Sequence, residues 1–184
     1  MSKKVLIPIS KGFEEIECFT AVDILRRAGA QVVLAGVGPS PILGRSQIAV
    51  LPDATLDEAS ADGPYDLVVL PGGLPNAYTL RDDPRVIAAV KETASSGKPV
   101  AAICAAPAAL EKAGLLAGRT ATNHPSCTAD LLSANYSEAR VVTDDRIITS
   151  RAAGTAMEFA FELVRVLFGD EKVQEVNAGV LAKL

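Results

Sequence analysis

A dozen uncharged residues, PVAAICAAPAAL at positions 99–110, stand between Lys98 and Glu111, and the only hydrogen-bonding side chain among them is the thiol of Cys104. Such a cysteine has two readings: it packs as a small hydrophobe, or it ionises and acts as a nucleophile. Position separates them. Pro99–Ile103 has the composition of a buried strand, and a helical stretch, Ala105–Ala113, follows at once. Cys104 is therefore expected at the carboxyl edge of a sheet, where open α/β folds place their sites. A helix beginning at Ala105 would aim its unpaired N–H groups and positive dipole end at the sulfur, favouring thiolate over thiol. The arrangement has the geometry of a nucleophile elbow, with Ala105 and Ala106 where many elbows need glycine.

A second reactive group comes from the first helix, placed on a wheel at about 100° per residue. Cys18, Ala21, Val22, Ile24, Leu25 and Ala28 share an apolar arc, and Glu15, Asp23, Arg26 and Arg27 lie opposite. Glu17 falls inside the apolar arc, where an unpartnered anion is costly. It is either a buried acid of raised pKa that exchanges protons with a thiolate or a carbonyl, or a first-turn residue that reaches solvent and stabilises the dipole. Glu14 also points inward, and its first-turn position favours the second role. Between the two candidates in sequence lies Pro71-Gly72-Gly73. Its glycine N–H groups can approach a substrate oxygen as an oxyanion hole requires, or simply make a turn. The sole histidine, His124 in ATNHPSC (121–127), follows a β-prone stretch and lies either at the same edge or on the surface. His124 and Cys127 form an HxxC pair without further ligands at metal spacing, so no metal is expected. Cys18 and Cys127 read as packing residues.

The elements that must position these groups alternate along the chain. Val5–Ile9, Gln31–Val37, Asp66–Leu70 and Pro99–Ile103 are apolar runs without strict alternation, which suits strands buried on both faces. Helices are expected at about 14–28, 84–95 and 105–113, with Gly29 and Gly114 as stop signals. This rhythm specifies an α/β fold with a mainly parallel sheet. Late in the chain, RVVTDDRIITS (140–150) reads as a β-hairpin turning at Asp144-Asp145. A long amphipathic helix then places Met157, Phe161, Val164 and Phe168 on one face, and a shorter one carries Val173, Val176 and Val180. AGVGPSP (35–41) holds a partial glycine motif, but its two prolines stand where a phosphate-binding helix would begin, so no nucleotide cofactor is expected.

Bulk composition excludes several classes. The 184 residues are 49% hydrophobic, enough for one domain spanning 1–184 without a disulfide or metal staple. Eighteen basic residues face 22 acidic ones with no basic stripe, so specific nucleic-acid binding is not expected. Three cysteines in no paired framework suit a reducing compartment. No run is long enough for a signal-peptide core or a membrane span, and a cytoplasmic protein with no membrane partner is expected.

Taken jointly, KGFEEIE (11–17), RRAGA (26–30), LPDATL (51–56), GPYDLVVLPGG (63–73), AAICAAP (101–107), NHP (123–125) and TSRAAGT (149–155) resemble the DJ-1 branch of the DJ-1/PfpI superfamily. The likeness runs from the first strand to the last helices at nearly constant spacing. It implies a flavodoxin-like three-layer sandwich with helices on both faces. It also implies a homodimer with the first helix in the interface and Arg27 near that contact. On the resemblance Cys104 is the reactive cysteine, Glu17 the acidic partner, His124 the nearby histidine, and Gly73 with Ala105 the donors facing the substrate oxygen; Gly72 belongs to the same turn. The implied activity is a cofactor-independent glyoxalase or deglycase acting on glyoxal, methylglyoxal or their adducts with amines and thiols, releasing a hydroxy acid. The alternative is an oxidative-stress sensor or redox-regulated chaperone in which Cys104 becomes a sulfinic acid held by Glu17. Departures from the pattern are CAAP for CAGP and SRAAGT for SRGPGT. Ala105 stands where the protease-like branch has a histidine, and the second histidine a class I glutaminase needs is missing. Arg45 in LGRSQ is assigned no role.

Overall fold

Residues 2–183 are described in the computed structural model of the chain. In chain order the strands are β1 (Lys4–Ile9), β2 (Gln31–Gly36), β3 (Ile42–Leu43), β4 (Ala49–Val50), β5 (Ala54–Thr55), β6 (Leu67–Leu70), β7 (Val100–Ile103), β8 (Thr120–Ala121), β9 (Asn135–Tyr136), β10 (Val141–Asp144) and β11 (Ile147–Ser150). The helices are α1 (Glu15–Arg27), α2 (Leu56–Ala61), α3 (Asn76–Asp82), α4 (Pro84–Ser95), α5 (Pro107–Lys112), α6 (Ala156–Phe168) and α7 (Asp170–Val180). Seven strands form the central sheet in the order β10-β11-β7-β6-β1-β2-β5. Every neighbouring pair is parallel except the β10–β11 hairpin.

The central strands β1, β6 and β7 are buried on both faces, which is why they read as unbroken apolar runs. Val5, Ile7 and Ile9 of β1 pack with Leu25 of α1, Phe159 of α6 and Val173 of α7. Leu6 points to the opposite layer, with Leu80, Val90 and Leu110 from α3, α4 and α5. The result is a three-layer α/β sandwich, and each fully buried Leu, Ile or Phe contributes about 1.5–3 kcal/mol. No helix among the described residues is long and apolar enough to cross a membrane.

Four expectations change. The helix placed at Ala105–Ala113 begins at Pro107 and has only six residues; Cys104, Ala105 and Ala106 form the turn before it, because proline suits the first helical position, where its missing N–H costs nothing. Glu15, placed on the solvent side of α1, is only 6% exposed, since the loop after β3 covers it and Ser46 N–H donates to its Oε1 at 2.7 Å. The hairpin turns at Asp145-Arg146 rather than at Asp144-Asp145, with Asp145 at φ 55°. Met157 is 38% exposed, because α6 is buried chiefly through Ala156, Phe159, Ala160, Phe161, Leu163 and Val164. Two short helices also escaped the periodic pattern: α2, which starts on a Thr55/Glu58 capping box, and α3.

Candidate active site

Strand β7 ends at Ile103, and the chain then reverses through Cys104 in the left-handed region at φ 65°. For a residue with a Cβ this costs about 1–2 kcal/mol, and it persists because both backbone groups are tied down. Cys104 N–H donates to Ser150 O at 2.9 Å, and Cys104 O accepts from His124 N–H at 2.9 Å. The thiol is partly exposed, at the carboxyl edge of the sheet.

Glu17 arrives at the same place from the first turn of α1. It is 1% exposed, and its Oε2 accepts the Gly72 N–H at 2.9 Å. Its carboxyl lies beside the Cys104 side chain, and the interaction between them lowers the pKa of the acid and raises that of the thiol. Gly72 makes this approach possible, since a Cβ there would stand 2.6 Å from both Cys104 Cβ and Glu17 Oε2. The amide of Gly72 is therefore committed to Glu17, and it is not a free oxyanion donor as the turn had suggested. Gly73 and Ala105 wall the cavity together with Cys104, and their amides act to lower the thiol's pKa. With α5 starting two residues later and Pro107 lacking an N–H, these amides replace the helix dipole in stabilising negative charge there.

The turn is itself fixed from below by a residue that the sequence pattern did not single out. Asn76 is fully buried; its Nδ2 donates to Pro71 O at 2.8 Å and to Gly72 O at 2.9 Å. Its Oδ1 accepts from Ser10 N–H at 2.7 Å and Ser10 Oγ at 3.0 Å. Such a contact joins β1 to the loop after β6, and nothing in local periodicity signals it.

Electrostatics make Glu17 and Cys104 one titrating unit. Burial raises the Glu17 carboxyl from 4.5 to about 7, against the hydrogen bonds from Cys104 and Gly72. Burial also pushes the Cys104 thiol up to about 12, and the negative charge of ionised Glu17 adds to the rise. That high value belongs to taking the last proton from the pair, because two adjacent anions in a buried site are disfavoured. The pair therefore passes from two protons to one near pH 7 and retains that one well above it. When it sits on Glu17, the repulsion vanishes, the carboxyl donates to sulfur, and the Gly73 and Ala105 amides hold the thiolate.

A cavity of about 310 Å³ opens above the sulfur, walled by Arg45, Gly73, Leu74, Cys104, Ala105, His124, Ser126 and Cys127. His124 accordingly lies at the same edge as Cys104. Its Nδ1 accepts from Ser126 N–H at 3.2 Å and lies 2.7 Å from Ser126 Oγ, which leaves the ring proton on Nε2 in the neutral form. Arg45 supplies the cation of the wall and pairs with the buried Glu14 at 3.0 Å. Cys127 belongs to the wall as well as to the packing beneath it. A larger groove of about 740 Å³, lined by Lys91, Lys98, Arg119 and Arg146, contains no thiol, histidine or buried acid. Among the described residues no group of three or more His, Cys, Asp or Glu side chains is placed to hold a metal.

The chain matches a family model described as the DJ-1/PfpI family over residues 3–166. It is 40% identical over 185 residues to the zebrafish (Danio rerio) Parkinson disease protein 7 homolog, covering 98% of each chain. It is 33% identical to the Caenorhabditis elegans glutathione-independent glyoxalase DJR-1.2, covering 95% of this chain and 93% of that protein. Among solved structures, Drosophila melanogaster DJ-1beta superposes with a TM-score of 0.95 at 40% identity over all of both chains. Oxidised Toxoplasma gondii DJ-1 superposes with 0.94 at 34% identity, again over all of both chains.

Proposed function

The chain belongs to the DJ-1/PfpI family, and on that premise we propose that it is a cofactor-independent, cysteine-dependent enzyme acting on small 2-oxoaldehydes and their amine or thiol adducts. The observation that carries this reading is the buried Glu17 carboxyl set against Cys104 across the side-chain-free Gly72, with the sulfur's residue walling a cavity sized for a small substrate. The glyoxalase named among the relatives supports the substrate class.

With the proton on Glu17, the Cys104 sulfur adds to the aldehyde carbon of methylglyoxal and the carbonyl electrons move to oxygen. Gly73 and Ala105 amides shift from the spent sulfur to that oxyanion, the group whose charge develops in the transition state, and Glu17 protonates it. The carboxylate so formed, or His124, then carries the former aldehyde hydrogen as a proton to the neighbouring carbon, while the new hydroxyl's proton passes to the second carbonyl oxygen. The first carbon is oxidised as the second is reduced, so no external redox partner enters. Water cleaves the resulting thioester to a 2-hydroxy acid and returns the thiol. An adduct substrate loses its free amine or thiol during the same sequence.

Proton NMR of the purified protein with methylglyoxal tests this: lactate should accumulate with wild type and stay at buffer background with Cys104→Ser. A redox-sensing role is a second reading, favoured by the partial exposure of Cys104 beside the buried Glu17 carboxyl, and an oxidised relative has been solved.

A further inference from the structure

We propose that Cys127 is a second reactive thiol of this pocket, and that it captures oxidised Cys104 as an intramolecular Cys104–Cys127 disulfide. The inference rests on Cys104 being the accessible oxidisable sulfur, as in the redox reading, and is independent of aldehyde turnover.

Three observations carry it. Both cysteines wall the same cavity of about 310 Å³. Their main chains are tied through one residue: His124 N–H donates to Cys104 O at 2.9 Å, and Cys127 N–H donates to His124 O at 2.8 Å. Cys127 also has a path for its proton, with Sγ 3.7 Å from Ser126 Oγ and that hydroxyl 2.7 Å from His124 Nδ1. A hydroxyl can accept from the thiol while donating to imidazole, so His124 can act as the base for Cys127 through Ser126. Cys18, fully buried in the core, lines no such cavity.

The chemistry balances with a peroxide as oxidant. Cys104 thiolate attacks a peroxide oxygen, the O–O bond breaks, and a sulfenic acid and hydroxide result, the hydroxide taking the proton that Cys104 had passed to Glu17 and leaving as water. Cys127 passes its proton through Ser126 to His124 and attacks the Cys104 sulfur. The S–S bond forms as the S–O bond breaks, and the departing hydroxide takes the proton from His124 to leave as water. Two thiols and one hydrogen peroxide give one disulfide and two waters. The bridge competes with a second peroxide, which would otherwise carry Cys104 to sulfinic acid.

The test is intact mass and peptide mapping after stoichiometric hydrogen peroxide, with free thiols blocked by N-ethylmaleimide. Wild type should become 2 Da lighter through a Cys104–Cys127 linked peptide that dithiothreitol releases. Cys127→Ala, and the nearly isosteric Cys127→Ser should the first fold poorly, should gain 32 Da at Cys104 at least fivefold faster than wild type. Wild type and Cys127→Ser gaining 32 Da at equal rates with no lighter species would overturn the proposal, as would a bridge that maps to Cys18. Lactate formation is read separately, so failure here leaves the aldehyde reading standing, and the converse also holds.

Discussion

Glu17 Oε2 and Cys104 Cβ each lie 2.6 Å from the point at which a side chain on Gly72 would begin. An acid from the first helix and a thiol from the end of a central strand meet only because the residue between them has no side chain. The pair's shared proton, and the chemistry proposed for it, depend on that gap.

Burial of Glu17 links the site to stability. Its carboxyl is raised from 4.5 to about 7 in the folded chain, so the native state holds the proton more tightly than the unfolded one. That contribution is fully present below pH 4.5 and is lost as pH rises through 7, at a cost of about 3 kcal/mol for a shift of that size. Glu17→Gln removes the dependence. Urea denaturation at pH 5 and pH 8 should show wild type losing stability relative to Glu17→Gln by about that amount, and parallel behaviour of the two proteins would contradict it.

Gly72→Ala should separate the pair while leaving the identity of both members unchanged. The new Cβ would fall 2.6 Å from two side chains and 2.9 Å from Ile103 O, and overpacking of this kind costs about 1–3 kcal/mol. The variant should fold with a lowered denaturation midpoint and lose at least about a hundredfold in kcat/KM, which corresponds to about 2.7 kcal/mol. Retained turnover would mean that the contact between Glu17 and Cys104 is dispensable.

Asn76 positions the turn rather than touching substrate. Asn76→Ala leaves Ser10 N–H and Pro71 O without their side-chain partner and Gly72 O with the Glu14 N–H alone, a loss of about 2–4 kcal/mol. Because Gly72 then holds Glu17 less firmly, the pH midpoint of Cys104 alkylation should move along with kcat, whereas a purely structural residue would change stability alone.

Much of this was legible in residue patterns, and the failures have particular causes. Cys104 was placed correctly because a buried strand followed by a helix puts its last residue at the sheet edge, whatever the details of the turn. The start of that helix was misplaced because alanines at 105 and 106 have high helix propensity, yet the reversal at Cys104 spends both on a turn and Pro107 sets the true start. The burial of Glu17 was legible from its place on the apolar arc of α1. Glu15 was assigned to solvent by the same wheel, which cannot see a loop from elsewhere in the chain folding over that side. Asn76, and the places of Arg45 and Cys127 in the cavity wall, emerged only with tertiary contacts, and no local period encodes a contact between segments distant in sequence.

The central claim is that Glu17 serves as the proton carrier for Cys104, beyond any part it plays in making the thiol reactive. It is tested most directly by comparing, in wild type and Glu17→Gln, the rate of iodoacetamide alkylation of Cys104 at pH 7 with lactate formation from methylglyoxal. Glutamine keeps an N–H donor beside the sulfur and removes the opposing charge, so alkylation should remain within about threefold, or 0.7 kcal/mol, while lactate formation falls to background. Loss of both together, or survival of lactate formation in Glu17→Gln, would contradict the account.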